Sequence, residues 1–196
     1  MKAFYLNMLT FVFVSARCFA QEDIQHQYAG AIKSDLLDIE AQQKNDDKNL
    51  YIVTIECGNN SKEAAMARHY RHRNDSISQL KVESIIHTYG YPGPKVIGNK
   101  ANQVLFNIIY NMNLAMGKKY VGILFQALKD GNTTPEDYAM LADKVSMQES
   151  NAQIYGTVTQ IKGGTLYMPP LINPNGVDSL RNLIGLPPLQ KNPQVK

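Results

Sequence analysis

The residues of this chain able to do chemistry are few and loosely spaced. His69 and His72 stand three apart, which places both imidazoles on one side of a helix, a spacing that a metal pair can use. They alternate with Arg68, Arg71 and Arg73, whose charge opposes a cation, and no acidic or cysteine ligand is evident nearby. A solvated basic face is the better reading. His87 closes a helical stretch, where an imidazolium complements the helix dipole. Nothing around Cys57 marks it as activated, and a buried free thiol is expected. The chain has no phosphate-cradling glycine loop, no Gly-x-Ser-x-Gly elbow and no His-Glu-x-x-His helix. No metal site and no bound cofactor is expected.

The polar groups of the second half carry more information. Asn111 flanks an apolar helix face set by Val104 and Ile108, and Asp143 is similarly close to Leu141, Ala142 and Val145. Gln153, Tyr155 and Thr157 alternate, so on a strand they project from one face. Together these side chains can line a polar cleft between the helices and a hairpin. They can equally form a hydrogen-bonded structural network that holds the hairpin on the helices, and that reading is favoured.

The elements that must position them are mostly helical. Ala31, Ile32, Leu36, Leu37 and Ile39 predict an amphipathic helix over about 28–43, which Lys44–Lys48 should break. Leu50–Ile55 is β-branched and aromatic and fits either a strand or a buried helical turn. Gly58–Ser61 is a loop ending in a helix cap. A helix over 62–73 follows, then another capped by Asn74-Asp75, with Ile77, Leu80, Ile85 and Ile86 as its core face. Tyr89–Pro94 ends it. The clearest helix runs from about 100 to 115, and a further one from 119 to 129, with Val121, Leu124, Phe125 and Leu128 inward. Thr134-Pro135-Glu136-Asp137 starts a helix that buries Tyr138, Leu141, Ala142 and Val145. The period then changes to two over Gln153–Ile161, Lys162-Gly163-Gly164 turns the chain, and Thr165–Met168 returns as a second strand. A short helix runs from Asp178 through Leu183. The expected fold is mainly α, a bundle of five to seven helices with a small C-terminal β-hairpin.

The N-terminus reads as an export signal. Met1-Lys2 precedes an apolar run through Val14 that is shorter than the roughly 20 residues a membrane span needs. Cys18 and Ala20 are small residues at positions −3 and −1 of a cut before Gln21. A lipidated Cys18 fits less well, because Arg17 precedes it where such signals carry Gly or Ala. Residues 1–20 are thus expected to be a signal peptide and residues 21–196 a single domain. Cleavage removes two of the three excess positive charges, so the basic balance belongs partly to the signal and nucleic-acid binding loses its main support. It also removes one of the two cysteines, leaving Cys57 and no intramolecular disulfide. Asn59-Asn60-Ser61 and Asn132-Thr133-Thr134 fit the glycosylation sequon, which matters only in a eukaryotic secretory host. The mature protein is expected in the periplasm or outside the cell, with an envelope or extracellular ligand and no stable membrane span.

The same residues carry a family resemblance. Asp75-Ser76-Ile77-Ser78, Tyr89-Gly90-Tyr91-Pro92, Ala142-Asp143-Lys144-Val145, Gln153-Ile154-Tyr155-Gly156-Thr157, Val177-Asp178-x-x-Arg181 and Gly185-Leu186-Pro187-Pro188-Leu189 together resemble a bacterial domain of unknown function, number 6624. The family's usual Gln-His is Tyr110-Asn111 here, its Asp-Arg is Asp143-Lys144, and an Asn after the early Asp is Ser78. An amide cannot transfer protons as imidazole does, and Lys lacks the two-pronged geometry of Arg. The resemblance therefore implies that any active site built on that His is lost in this chain. The candidate cleft residues are Asn111, Asp143, Lys144, Gln153, Tyr155, Thr157 and Arg181. The leading expectation is a non-catalytic exported binding or interaction domain. The alternative is a cell-envelope hydrolase or transferase, active or decayed, and a secreted effector or its immunity partner ranks third.

Overall fold

The computed structural model describes residues 2–189, and only the backbone of residues 2–25 and of Lys162. Its elements are α1 (Lys2–Cys57), α2 (Lys62–Tyr89), α3 (Pro94–Ile97), α4 (Asn99–Tyr110), α5 (Leu114–Lys129), α6 (Pro135–Ser150), β1 (Gln160–Lys162), β2 (Thr165–Tyr167) and α7 (Val177–Leu183). The mainly α expectation with a small hairpin holds. The chain divides into two compact units, Met1–Ile108 and Ile109–Lys196.

In the first unit α1 and α2 form a helical hairpin, and the break expected at Lys44–Lys48 is absent. Ile32, Leu36 and Ile39 are buried and Gln43, Asp46, Leu50 and Val53 half-buried, a 4-3 stripe along α1. The polar middle of that stripe finds partners on α2. Asn74 donates to Asp46 Oδ2 at 2.8 Å, Gln43 to Asp75 Oδ1 at 3.4 Å, and Arg71 pairs with Asp47 at 3.0 Å. A polar layer of this kind fixes register between paired helices. Leu50–Ile55 is therefore helical, with Tyr51 and Ile55 outward rather than in a strand.

The loop and cap at Gly58–Ser61 form as the sequence reads. Gly58 is left-handed (φ 90°) and Ser61 Oγ accepts from the Ala64 amide at 3.1 Å. Cys57 at the end of α1 is exposed, against the expected burial. The arginine–histidine stretch keeps His69, Arg71, His72 and Arg73 exposed on a single continuous α2. Asn74-Asp75 caps nothing, because Asn74 is engaged with α1. Ile85 and Ile86 are buried as expected, but Ile77 and Leu80 are exposed. The inner face of α2 is instead Ala64, Ala67, Ser78 and Val82, small side chains that let two backbones approach.

The long helix expected over 100–115 ends earlier, at Tyr110. In the second unit Asn113 starts α5 by accepting from the Met116 amide at 3.1 Å, so α5 begins five residues before the expected Lys119. Phe125, expected inward, is partly exposed, with the Lys129 ammonium 4.3 Å from its ring centroid. Thr134 caps α6 through the Asp137 amide at 3.1 Å, as its Thr-Pro start signal predicts. β1 and β2 pair antiparallel through the left-handed pair Gly163 (φ 57°) and Gly164 (φ 79°).

α5 and α6 pack at Gly117, where a Cβ would lie 2.9 Å from Val145 Cγ2. Ala normally gains about 1 kcal/mol over Gly within a helix. Here the methyl of a β-branched side chain, stiff at χ1, must shift to admit the Cβ, and overpacking costs about 1–3 kcal/mol. Gly117→Ala should therefore lower stability by about 1 kcal/mol. In a Val145→Ala background the same substitution should raise it, a reversal that a double-mutant cycle in urea will read. A stabilising effect in both backgrounds would show that the contact is not tight.

Candidate functional site

α6 buries Tyr138, Leu141, Ala142 and Val145 as expected, and with them Asp143, which is completely inaccessible to solvent. Asn151 ends the helix in the left-handed conformation (φ 56°), its amide returning to Met147 O at 3.1 Å. Ser146 Oγ donates to Ala152 O at 2.7 Å and turns the chain back along α6. The next residues are not the strand that their alternation suggests. They wrap around the Asp143 carboxylate. Oδ1 accepts from the amides of Ile154 (2.6 Å) and Tyr155 (2.7 Å), and Oδ2 from the amide (2.8 Å) and hydroxyl (2.7 Å) of Thr157. Backbone amides converging in this way form an anion cradle, and Asp143 is the anion that fills it.

Gly156 makes the cradle possible at φ 74°. A Cβ there would also come within 3.1 Å of the Leu189 side chain and 3.4 Å of Leu171.

Gln153, also fully buried, fixes the next layer. Its Oε1 accepts from the Val158 amide at 2.8 Å, and its Nε2 donates to Val158 O at 3.2 Å and Pro169 O at 3.0 Å. Its main chain bonds Pro170 O and the Ile172 amide, both at 2.9 Å, in an isolated parallel bridge to Leu171. The strand pairing expected here is confined to β1 and β2. Arg181 on α7 is buried and closes the other side, with Nε donating to Pro187 O and Nη1 to Tyr155 O, each at 2.7 Å. Asp178 Oδ1 accepts from the Leu189 amide at 2.7 Å.

Tyr155 packs edge-on against Tyr138, with ring centroids 5.9 Å apart. Burial, with Tyr138 and then Asp143 as neighbours, pushes its hydroxyl well above the usual phenol range, so it stays protonated at neutral pH.

Five of the seven expected residues thus come together: Asp143, Gln153, Tyr155, Thr157 and Arg181. Lys144 turns elsewhere, because adjacent helical residues diverge by about 100°. Its ammonium donates to Tyr110 O and, at 3.2 Å, to Met112 O, and lies 4.8 Å from the Tyr110 ring centroid. Burial holds its pKa below the ordinary lysine value. Asn111 lies in the exposed turn after α4, outside the buried group.

Beside this group opens a cleft of about 410 Å³, lined by Glu136, Gly156, Thr157, Thr159, Met168, Arg181 and Leu186–Leu189. Glu136, Thr159 and Met168 were not among the expected site residues. Glu136 is legible only as part of the α6 start signal and no site motif surrounds Thr159 or Met168, so only the folding of the 153–189 segment over the start of α6 brings them together. Among the described residues no group of three or more His, Cys, Asp or Glu side chains is placed to hold a metal ion.

The profile of the Family of unknown function (DUF6624) matches residues 35–195. The chain belongs to this family. The DUF6624 match spans both the hairpin of the first unit and the whole cradle region of the second. No curated protein and no solved structure matches the chain.

Proposed function

We propose that this DUF6624 protein is an exported, non-catalytic binding domain. The observation that carries the reading is the saturated Asp143 carboxylate. Amide donors converging on an anion are the device by which acyl-transfer enzymes stabilise a developing oxyanion. Here the protein's own side chain takes all four bonds. Gln153 and Arg181 likewise hold backbone carbonyls, and Tyr155 remains a neutral phenol. The polar box therefore works as a clasp that shapes the chain around it, and the neighbouring cleft is the surface it shapes.

Export is supported by the Met1-Lys2 start, the short apolar run and the small residues Cys18 and Ala20 before Gln21. The family match begins at residue 35, downstream of that cut. Among the described residues no helix is long and apolar enough to cross a membrane.

Two measurements test the reading. Intact-mass analysis of protein recovered from outside the cytoplasm should give a chain beginning at Gln21; recovery only in the cytoplasm with residues 1–20 attached overturns export. Incubation with fragmented cell envelope, followed by ultrafiltration and mass spectrometry, should retain a ligand of unaltered mass. Catalytic conversion of any fragment overturns the non-catalytic half.

A further inference from the structure

The cleft beside the clasp has a cation built into its wall without a matching anion. Arg181 is only 9% exposed. A guanidinium has five N–H donors, and the two bonds that Arg181 makes go to the neutral carbonyls of Tyr155 and Pro187. Among the described residues no carboxylate forms an ion pair with it. Buried charges are ordinarily paired, because removal from water is costly. The side chain lines an open cleft, and none of its nitrogens is a sealed, unbonded atom. Its remaining donors are thus available to an incoming acceptor. Arginine's planar fork suits a carboxylate through two parallel bonds.

The rest of the lining narrows the ligand. Glu136, exposed in the first turn of α6, puts a negative charge on the same cleft. The Gly185–Leu189 segment passes close to the start of that helix, since a Cβ on Gly185 would lie 3.6 Å from Pro135 Cγ. A multiply charged anion such as phosphate would meet Glu136 as a repulsion. A purely apolar ligand would leave Arg181 desolvated and unpaired. The rest of the lining includes the apolar side chains of Met168, Leu186 and Leu189 and the hydroxyl of Thr159. The volume falls within the roughly 300–1,000 Å³ of small-molecule sites.

We propose that this cleft binds a small zwitterion with an apolar side chain, an amino acid or short peptide whose carboxylate meets Arg181 and whose ammonium meets Glu136. The proposal rests on the binding-domain reading and names its ligand class.

Isothermal titration of the purified protein with leucyl-leucine, leucine, N-acetyl-leucine, leucinamide and inorganic phosphate tests it. The two zwitterions should bind, while N-acetyl-leucine and leucinamide, each lacking one charge, should bind at least about tenfold more weakly, about 1.4 kcal/mol. Phosphate should not bind. Glu136→Gln should bring leucyl-leucine down to the affinity of N-acetyl-leucine while lowering the thermal midpoint only slightly, because Glu136 is exposed and gives up only its interaction with the α6 dipole. Arg181→Lys should abolish binding, but it also removes two structural bonds. Met168→Trp, which fills the cleft and leaves Arg181's carbonyl bonds intact, is therefore the second variant and should abolish binding in a folded protein.

Equal or tighter binding of N-acetyl-leucine or phosphate overturns the zwitterion and leaves the binding-domain reading standing. Leucyl-leucine binding that survives Met168→Trp overturns the site. Failure of every probe overturns the ligand class, while the envelope-retention measurement decides the broader reading separately.

Discussion

Asp143→Ala should destabilise the protein by about 3–5 kcal/mol, a large part of the roughly 5–15 kcal/mol that holds a typical domain folded. The carboxylate is inaccessible and accepts four hydrogen bonds, so truncation leaves the amides of Ile154, Tyr155 and Thr157 facing one another without an acceptor. Hydrogen bonds to a charged acceptor contribute about 1.5–3 kcal/mol each, and bonds that share one carboxylate do not add. Asp143→Asn should fall between, near 2 kcal/mol, because one oxygen is replaced by an NH2 group that meets N–H and O–H donors head-on. The urea midpoint should drop with an unchanged slope, and hydrogen exchange should accelerate first at those three amides. A loss below about 1 kcal/mol for the alanine variant would mean that Asp143 does not organise the 154–157 turn.

Legibility in the sequence follows the range of the interaction that decides each feature. Thr134-Pro135, Ser61 and Gly163-Gly164 act within a few residues of themselves, and both caps and the turn form where those residues predict them. The Gln153–Thr157 box is recognisable by residue type, but its conformation is set by Asp143, eleven to fourteen residues upstream. Two-residue alternation therefore suggests a strand where the chain is in fact wound about a carboxylate. The polar run Lys44–Lys48 looks like a helix break for the same reason. Its partners Arg71 and Asn74 lie on another helix.

Periodicity fails differently on α2. Met66, Tyr70, Ile77 and Leu80 repeat as well as any core stripe, yet all four are exposed. The face that packs is the one with Ala64, Ala67 and Ser78, because a close helical hairpin selects for small volume as much as for hydrophobicity. At the candidate site, five residues of seven converge because the box, Asp143 and Arg181 bond one another's backbone. Lys144 and Asn111 diverge because sequence adjacency on a helix, or just beyond one, says little about direction.

Gln153→Glu offers the sharpest reading of the clasp, because its effect should depend on pH in the direction opposite to ordinary acid denaturation. The native amide is completely buried and uses both ends, its oxygen on the Val158 amide and its NH2 on the carbonyls of Val158 and Pro169. An ionised glutamate keeps the first bond but turns a negative oxygen toward two carbonyl oxygens. Burial and those carbonyls both disfavour the charged form, so the folded-state pKa must rise above the unfolded value of about 4.3. The folded protein then binds more protons than the unfolded chain between the two pKa values, and stability falls as pH rises through that window. Below about pH 4 the acid is neutral in both states and donates one O–H, so the variant should lie within about 1–2 kcal/mol of the parent. At pH 7 the deficit should grow to about 4 kcal/mol, since a tenfold weaker acid in the folded state corresponds to about 1.4 kcal/mol. Gln153→Ala supplies the control: it leaves the Val158 amide and the Pro169 carbonyl unpaired over a small cavity, a loss of about 3 kcal/mol that does not vary with pH. Melting both variants and the parent from pH 4 to 8 separates the cases. If the glutamate variant's deficit stays flat across that range, position 153 is reached by water, and the buried clasp described for it does not exist in solution.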